Sequence, residues 1–186
     1  MSGLLMLWLP IVLSAIIVFV ASGILHMALP WHKNDYLKVP NEDQFRNAVR
    51  PMAIPPGDYM VPRPTSREEV RSPEFSEKMR QGPNMMMTVL PNGPMSMKKN
   101  FTLWFLFTLI VSALAAFVAG SALPVGAPHR AVFHLIALTA FIGYSVALWQ
   151  DSIWYARSWA ITGRATVDAL IYALFTAALF AWLWPR

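Results

Sequence analysis

Ionisable side chains in apolar surroundings are costly, so the few that this chain keeps there mark where chemistry is sought first. His26 stands near the end of one apolar run, Asp151 closes another, and Asp168 follows Arg164 by four residues at the mouth of a third. An imidazole and two carboxylates can hold a proton or a small cation, which makes His26, Asp151 and Asp168 a candidate ion site. A plainer reading competes with it. Arg164 and Asp168 are one helical turn apart, and an acid near a helix N-terminus is favoured by the macrodipole, so the two can form an interfacial ion pair.

Other ligand chemistries fit the pattern less well. Two imidazoles on facing helices can hold a haem iron. Here His26 and His134 fall toward opposite ends of their runs, roughly 20 Å apart at 1.5 Å per residue, and cannot share one iron. The methionines Met79, Met85, Met86, Met87, Met95 and Met97 offer soft thioethers suited to Cu(I), but thioethers also fill irregular apolar gaps. With no cysteine in 186 residues, thiolate nucleophiles, disulfides and iron–sulfur clusters are excluded. No catalytic residue, resident metal or cofactor is expected.

The elements that must position these residues are apolar stretches long enough to cross a bilayer: Leu4–Leu29, Phe101–Leu123, Ala131–Trp149 and Ala169–Trp184, the last able to start at Thr166. A hydrocarbon core of about 30 Å needs about 20 helical residues. Backbone amides in lipid must be satisfied internally, and runs without a period-two pattern achieve that only as helices. The expected fold is therefore all-α and polytopic. Residues 1–29 carry the first transmembrane helix, 30–100 a proline-rich extramembrane loop with short helices, and 101–186 three further transmembrane helices. Pro10 either opens the first helix or kinks it, and the absence of a basic residue before it argues for a retained helix rather than a secretory signal. The aromatic run Trp154–Trp159 suggests an interfacial continuation of the third helix, broken at Gly163.

Charge sets an expected orientation. Near the helix ends, Lys33, Lys38, Lys98, Lys99, Arg157 and Arg164 share one face, against Arg130 and Arg186 on the other. By the positive-inside rule the loop is expected to be cytoplasmic, with both termini outside. The net charge of +5 thus reports topology rather than nucleic-acid binding.

Eleven of the fifteen prolines fall between Pro30 and Asn100, which favours short capped helices joined by extended chain. Asn41, Ser66 and Ser72 are the expected caps, and Tyr59–Val61 and Met87–Leu90 can pair as strands. Phe45, Tyr59, Phe75 and several methionines make the loop too apolar for a solvated linker, so it is expected to pack on the membrane domain or on another subunit. Small residues recur every four positions at Ser112, Ala116 and Gly120, and again at Ala169, Ala173, Ala177 and Ala181. Such stripes let helix backbones approach closely.

The pieces Gly57-Asp58-Tyr59-Met60, Pro91-Asn92-Gly93-Pro94-Met95-Ser96-Met97 and Ala147–Tyr155 resemble those of uncharacterised bacterial four-helix integral membrane proteins with a long loop after the first helix. That resemblance implies a bacterial inner membrane and no particular activity. The expectation is a non-catalytic membrane subunit packed against lipids and other membrane protein subunits of a larger complex, respiratory or photosynthetic. The alternatives are a small proton- or ion-linked transporter and a haem or copper redox protein.

Overall fold

The computed structural model describes residues 4–186, and its main element is a bundle of four long apolar helices. The candidate spans are Leu5–Ala28, Met97–Ala122, His129–Trp154 and Trp159–Trp182, of 24, 26, 26 and 24 residues. Each exceeds the length a hydrocarbon core requires. Within them lie α1 (Trp8–Gly23), α5 (Met97–Ala122), α6 (His129–Ser145), α7 (Trp149–Trp154) and α8 (Trp159–Trp182). A short 3₁₀ stretch, Val146–Leu148, joins α6 to α7.

The helices close into a ring in which α1 packs on α5 and α8, and α6 packs on α5 and α8. Small side chains dictate that closeness. Ser112, Ala116 and Gly120 are buried on α5, as are Ala169, Ala173, Ala177 and Ala181 on α8. Both stripes are therefore spent inside the bundle, where close backbone approach maximises dispersion contacts that lipid would otherwise supply. Larger groups fill the remaining space: Leu7, Val132, Ile136 and Phe180 near one end, Val18, Val111, Tyr144 and Tyr172 toward the other. Hydroxyls cross between α1 and α5, with Ser14 Oγ donating to Ser112 Oγ at 2.9 Å and Trp104 Nε1 donating to Ser22 Oγ at 2.7 Å. Pro10 lies in the first turn of α1, where its missing N–H costs nothing.

Two expected boundaries move. The fourth helix begins at Trp159 instead of Thr166, and Gly163 lies inside it. The break falls earlier, at Tyr155–Ser158, where Ala156 takes a left-handed φ of 54°. A glycine lowers helix stability by about 1 kcal/mol without ending the helix.

Contacts divide the chain into two units, the bundle, which extends to Tyr36 and resumes at Ser96, and a second unit, Leu37–Met95. The second contains α2 (Glu42–Val49), β1 (Gly57–Val61), α3 (Arg67–Val70), α4 (Pro73–Gln81) and β2 (Met85–Val89). The strands pair antiparallel, with Tyr59 opposite Met87 and Met60 opposite Met86. Ser66 and Ser72 cap α3 and α4 by accepting from the backbone N–H of Glu69 and Phe75. Asn41 does not cap α2: its backbone is left-handed, with φ 51°, and its side chain makes no cap bond. Asparagine tolerates that conformation better than most residues, so here it serves the turn. Among the described residues, no side chain of Leu37–Met95 is buried.

Candidate functional site

The polar residues of the bundle converge where α1 ends. Its last turns widen into a π-helical segment, Ile24–Ala28, closed by Leu29 N–H donating to Ile24 O at 3.1 Å. Such π segments recur at functional sites because they turn side chains off the regular helical register. Leu29 is extended, as a residue before proline must be, and Pro30–His32 forms one 3₁₀ turn. The reversal folds His32 back onto His26. Their rings stack with centroids 4.1 Å apart and planes 12° from parallel.

Each imidazole is oriented by an oxygen. His26 Nδ1 lies 3.1 Å from the backbone oxygen of Ser22, which can only accept, so Nδ1 carries the hydrogen. His32 Nδ1 lies 2.7 Å from Asp35 Oδ2. Asp35 is also bound by Arg164, whose Nε donates to Oδ1 at 2.8 Å and whose Nη2 reaches the same oxygen. Burial alone would raise the Asp35 carboxyl, but the hydrogen bonds and charges of His32 and Arg164 outweigh it and hold the group below its ordinary range. Asp35 is therefore an acceptor, and His32 Nδ1 is a donor.

On its other side His32 meets α8. Its Nε2 lies 2.8 Å from Asp168 Oδ2, and the two side chains are only 13% and 3% exposed. The contact lacks the alignment of a hydrogen bond, and Asp168 Oδ1 is buried with no partner among the described residues. One turn deeper stands Tyr172, whose ring meets that of Tyr144 edge-on at 5.6 Å. The Tyr172 hydroxyl is likewise buried without a partner among the described residues, while that of Tyr144 is directed toward Ser112. A shallow hollow lined by His26, Leu29, Pro30, His32 and Lys33 opens beside the cluster.

Of the three residues proposed from sequence for an ion site, the fold brings His26 and Asp168 together and leaves Asp151 out. Asp151 lies on α7, partly exposed, 3.4 Å from Arg157 Nη1. The expected Arg164–Asp168 pair does not form, because Arg164 turns to Asp35 and Asp168 to His32. His32 and Asp35 were missed because they follow Pro30, beyond the apolar run. The signal that could have found them is Leu29-Pro30 itself, a forced reversal six residues before Asp35 and three after His26. His134 lies on α6 near its start at His129, the end of the bundle opposite His26, so no bis-histidine haem site forms between them. Of the methionines, Met85 and Met87 lie on one face of β2 and Met86 on the other.

Comparison of the chain with protein-family models, curated proteins and solved structures finds no match.

Proposed function

We propose that this chain is a non-catalytic membrane subunit that anchors itself through the four-helix bundle and engages a larger bacterial membrane complex through Leu37–Met95. The observation that carries the proposal is the unmet hydrophobic need of that segment. It has short helices, one two-stranded hairpin and, among the described residues, no buried side chain. Isolated elements of that size are marginal in water. Met60 and Met86 face each other across the hairpin and are 44% and 43% exposed, and Phe45, Met52 and Leu90 are also exposed. Burying one such side chain fully on a partner is worth about 1.5–3 kcal/mol. The small-residue stripes no longer support external packing, because the bundle uses them itself. The lysine and arginine asymmetry supports a cytoplasmic segment with both termini outside.

A photo-crosslinking residue at Met60 or Met86, on the exposed face of the hairpin, tests this in intact cells. The expected result is a discrete protein adduct at both positions and none at Leu138, an exposed apolar residue of α6. Absence of protein adducts at Met60 and Met86 would overturn the partner contact.

A second reading, a small proton- or ion-linked transporter, is favoured by one observation. The unpartnered Asp168 Oδ1 and Tyr172 hydroxyl carry polar groups from the cluster into the bundle. Uptake by reconstituted vesicles, abolished by Asp168→Asn with assembly intact, would select it.

A further inference from the structure

We infer that His26, His32 and Asp168 form a binding site for one divalent transition-metal ion. Each residue offers one ligand atom, and these atoms lie within 4.8 Å of one another. The inference is independent of the subunit reading above.

The hydrogen bonds already described leave both imidazoles with the same free atom. Nδ1 of His26 faces the Ser22 carbonyl and Nδ1 of His32 the Asp35 carboxylate, so Nε2 is the nitrogen that each ring leaves for a ligand. His32 Nε2 then stands 2.8 Å from a carboxylate oxygen of Asp168. The contact lacks the straight geometry of a hydrogen bond, so it is not explained as one. A metal ion accounts for more. It gives Asp168, buried on α8, the positive partner a buried carboxylate requires, and it explains why a second imidazole is stacked to offer its nitrogen at the same place.

The donor set fixes the class of ion. Two imidazole nitrogens and one carboxylate oxygen suit Zn(II), Fe(II), Co(II), Ni(II) and Cu(II), whereas Mg(II) and Ca(II) take all-oxygen shells and Cu(I) prefers thioethers and thiolates. The outer shell has the matching form. A histidine ligand ordinarily donates its second N–H to a carboxylate or a carbonyl, and both arrangements are present, Asp35 behind His32 and Ser22 behind His26. Arg164 in turn fixes Asp35. Three protein donors leave a coordination position for water or an exogenous ligand, and His26, the exposed member, places it beside the open hollow.

The test uses the full chain in detergent, with its affinity tag removed and any resident metal stripped by a chelator, titrated with Zn(II) by calorimetry. One Zn(II) per chain is expected. His26→Gln and His32→Gln should each weaken binding by more than the roughly 10–100-fold that loss of an outer-shell partner costs, and Asp35→Asn by an amount within that range. Replacing His129 and His134 together should leave the affinity unchanged. His26→Gln decides the matter if Asp168→Asn fails to fold, because His26 lies at the exposed edge. The proposal is overturned if the wild type shows no saturable binding, or if stoichiometric binding survives His26→Gln or disappears on replacing His129 and His134.

Discussion

At the scale of single residues, Asp35 is the hinge of the polar cluster, because it joins Arg164 of α8 to His32. Its carboxyl is held below the ordinary range in the folded protein, so the ionised form stabilises the fold. That contribution is fully present above the unfolded carboxylate value of about 3.9 and is lost as pH falls through the lower folded value. Asp35→Asn should therefore lower stability at neutral pH by about 1.5–3 kcal/mol, the worth of a hydrogen bond to a charged group. The gap between variant and wild type should shrink as the solution is acidified below pH about 4. Thermal unfolding in detergent at neutral and acid pH measures it. A gap that does not narrow on acidification would show that the loss is one of shape rather than charge.

At the scale of elements, the small-residue stripe of α5 is a wall of the bundle. Gly120→Leu should overpack that wall and cost about 1–3 kcal/mol in the stability of the protein itself. If the melting temperature is unchanged, the helix packing described here is incorrect. Gly143 offers a finer probe, since an added Cβ would lie 3.1 Å from Val111 Cγ1. Gly143→Ala sets that crowding against a helix-propensity gain of about 1 kcal/mol, so it should be more favourable when Val111→Ala is in the same chain, a coupling that a double-mutant cycle reads directly.

The four spans were legible from hydropathy because lipid imposes one requirement on every backbone group in them. The start of α8 was not. Arg164 and Asp168 read as an interfacial ion pair, yet the fold turns each toward a neighbour from another element. Thr162 Oγ1 lies 2.7 Å from Ser152 Oγ, and Thr166 accepts from Trp149 Nε1 at 3.1 Å. Arg164 and Asp168 meet Asp35 and His32. Hydropathy weighs a side chain against solvent and cannot see a partner supplied from 129 residues away. The same blindness split the candidate site: His26 and Asp168 stood out as ionisable groups near apolar runs, while His32 depended on the reversal at Pro30. The hairpin was legible in part, since its strands alternate locally, although pairing extends to Gly57 and Met85.

At the scale of the whole molecule, the chain consists of a four-helix bundle and a loop segment, Leu37–Met95, whose apolar side chains are largely exposed. Orientation comes first. Single cysteines at Ser66, between the strands, and at Val125, exposed in the turn between α5 and α6, can be labelled with an impermeant reagent in intact cells. Labelling at Val125 alone is expected from the lysine and arginine asymmetry, and labelling at Ser66 alone would invert the topology. The central claim, engagement of a partner complex through Leu37–Met95, is tested most directly by extraction in a mild detergent. The wild-type chain is compared with one in which that segment is replaced by a flexible Gly/Ser linker, and the mass and composition of each particle are measured. The account predicts that the wild type leaves the membrane with stoichiometric protein partners, while the replaced chain retains its helical bundle and leaves alone. A wild-type chain that extracts alone, or partners that remain after the replacement, would contradict it.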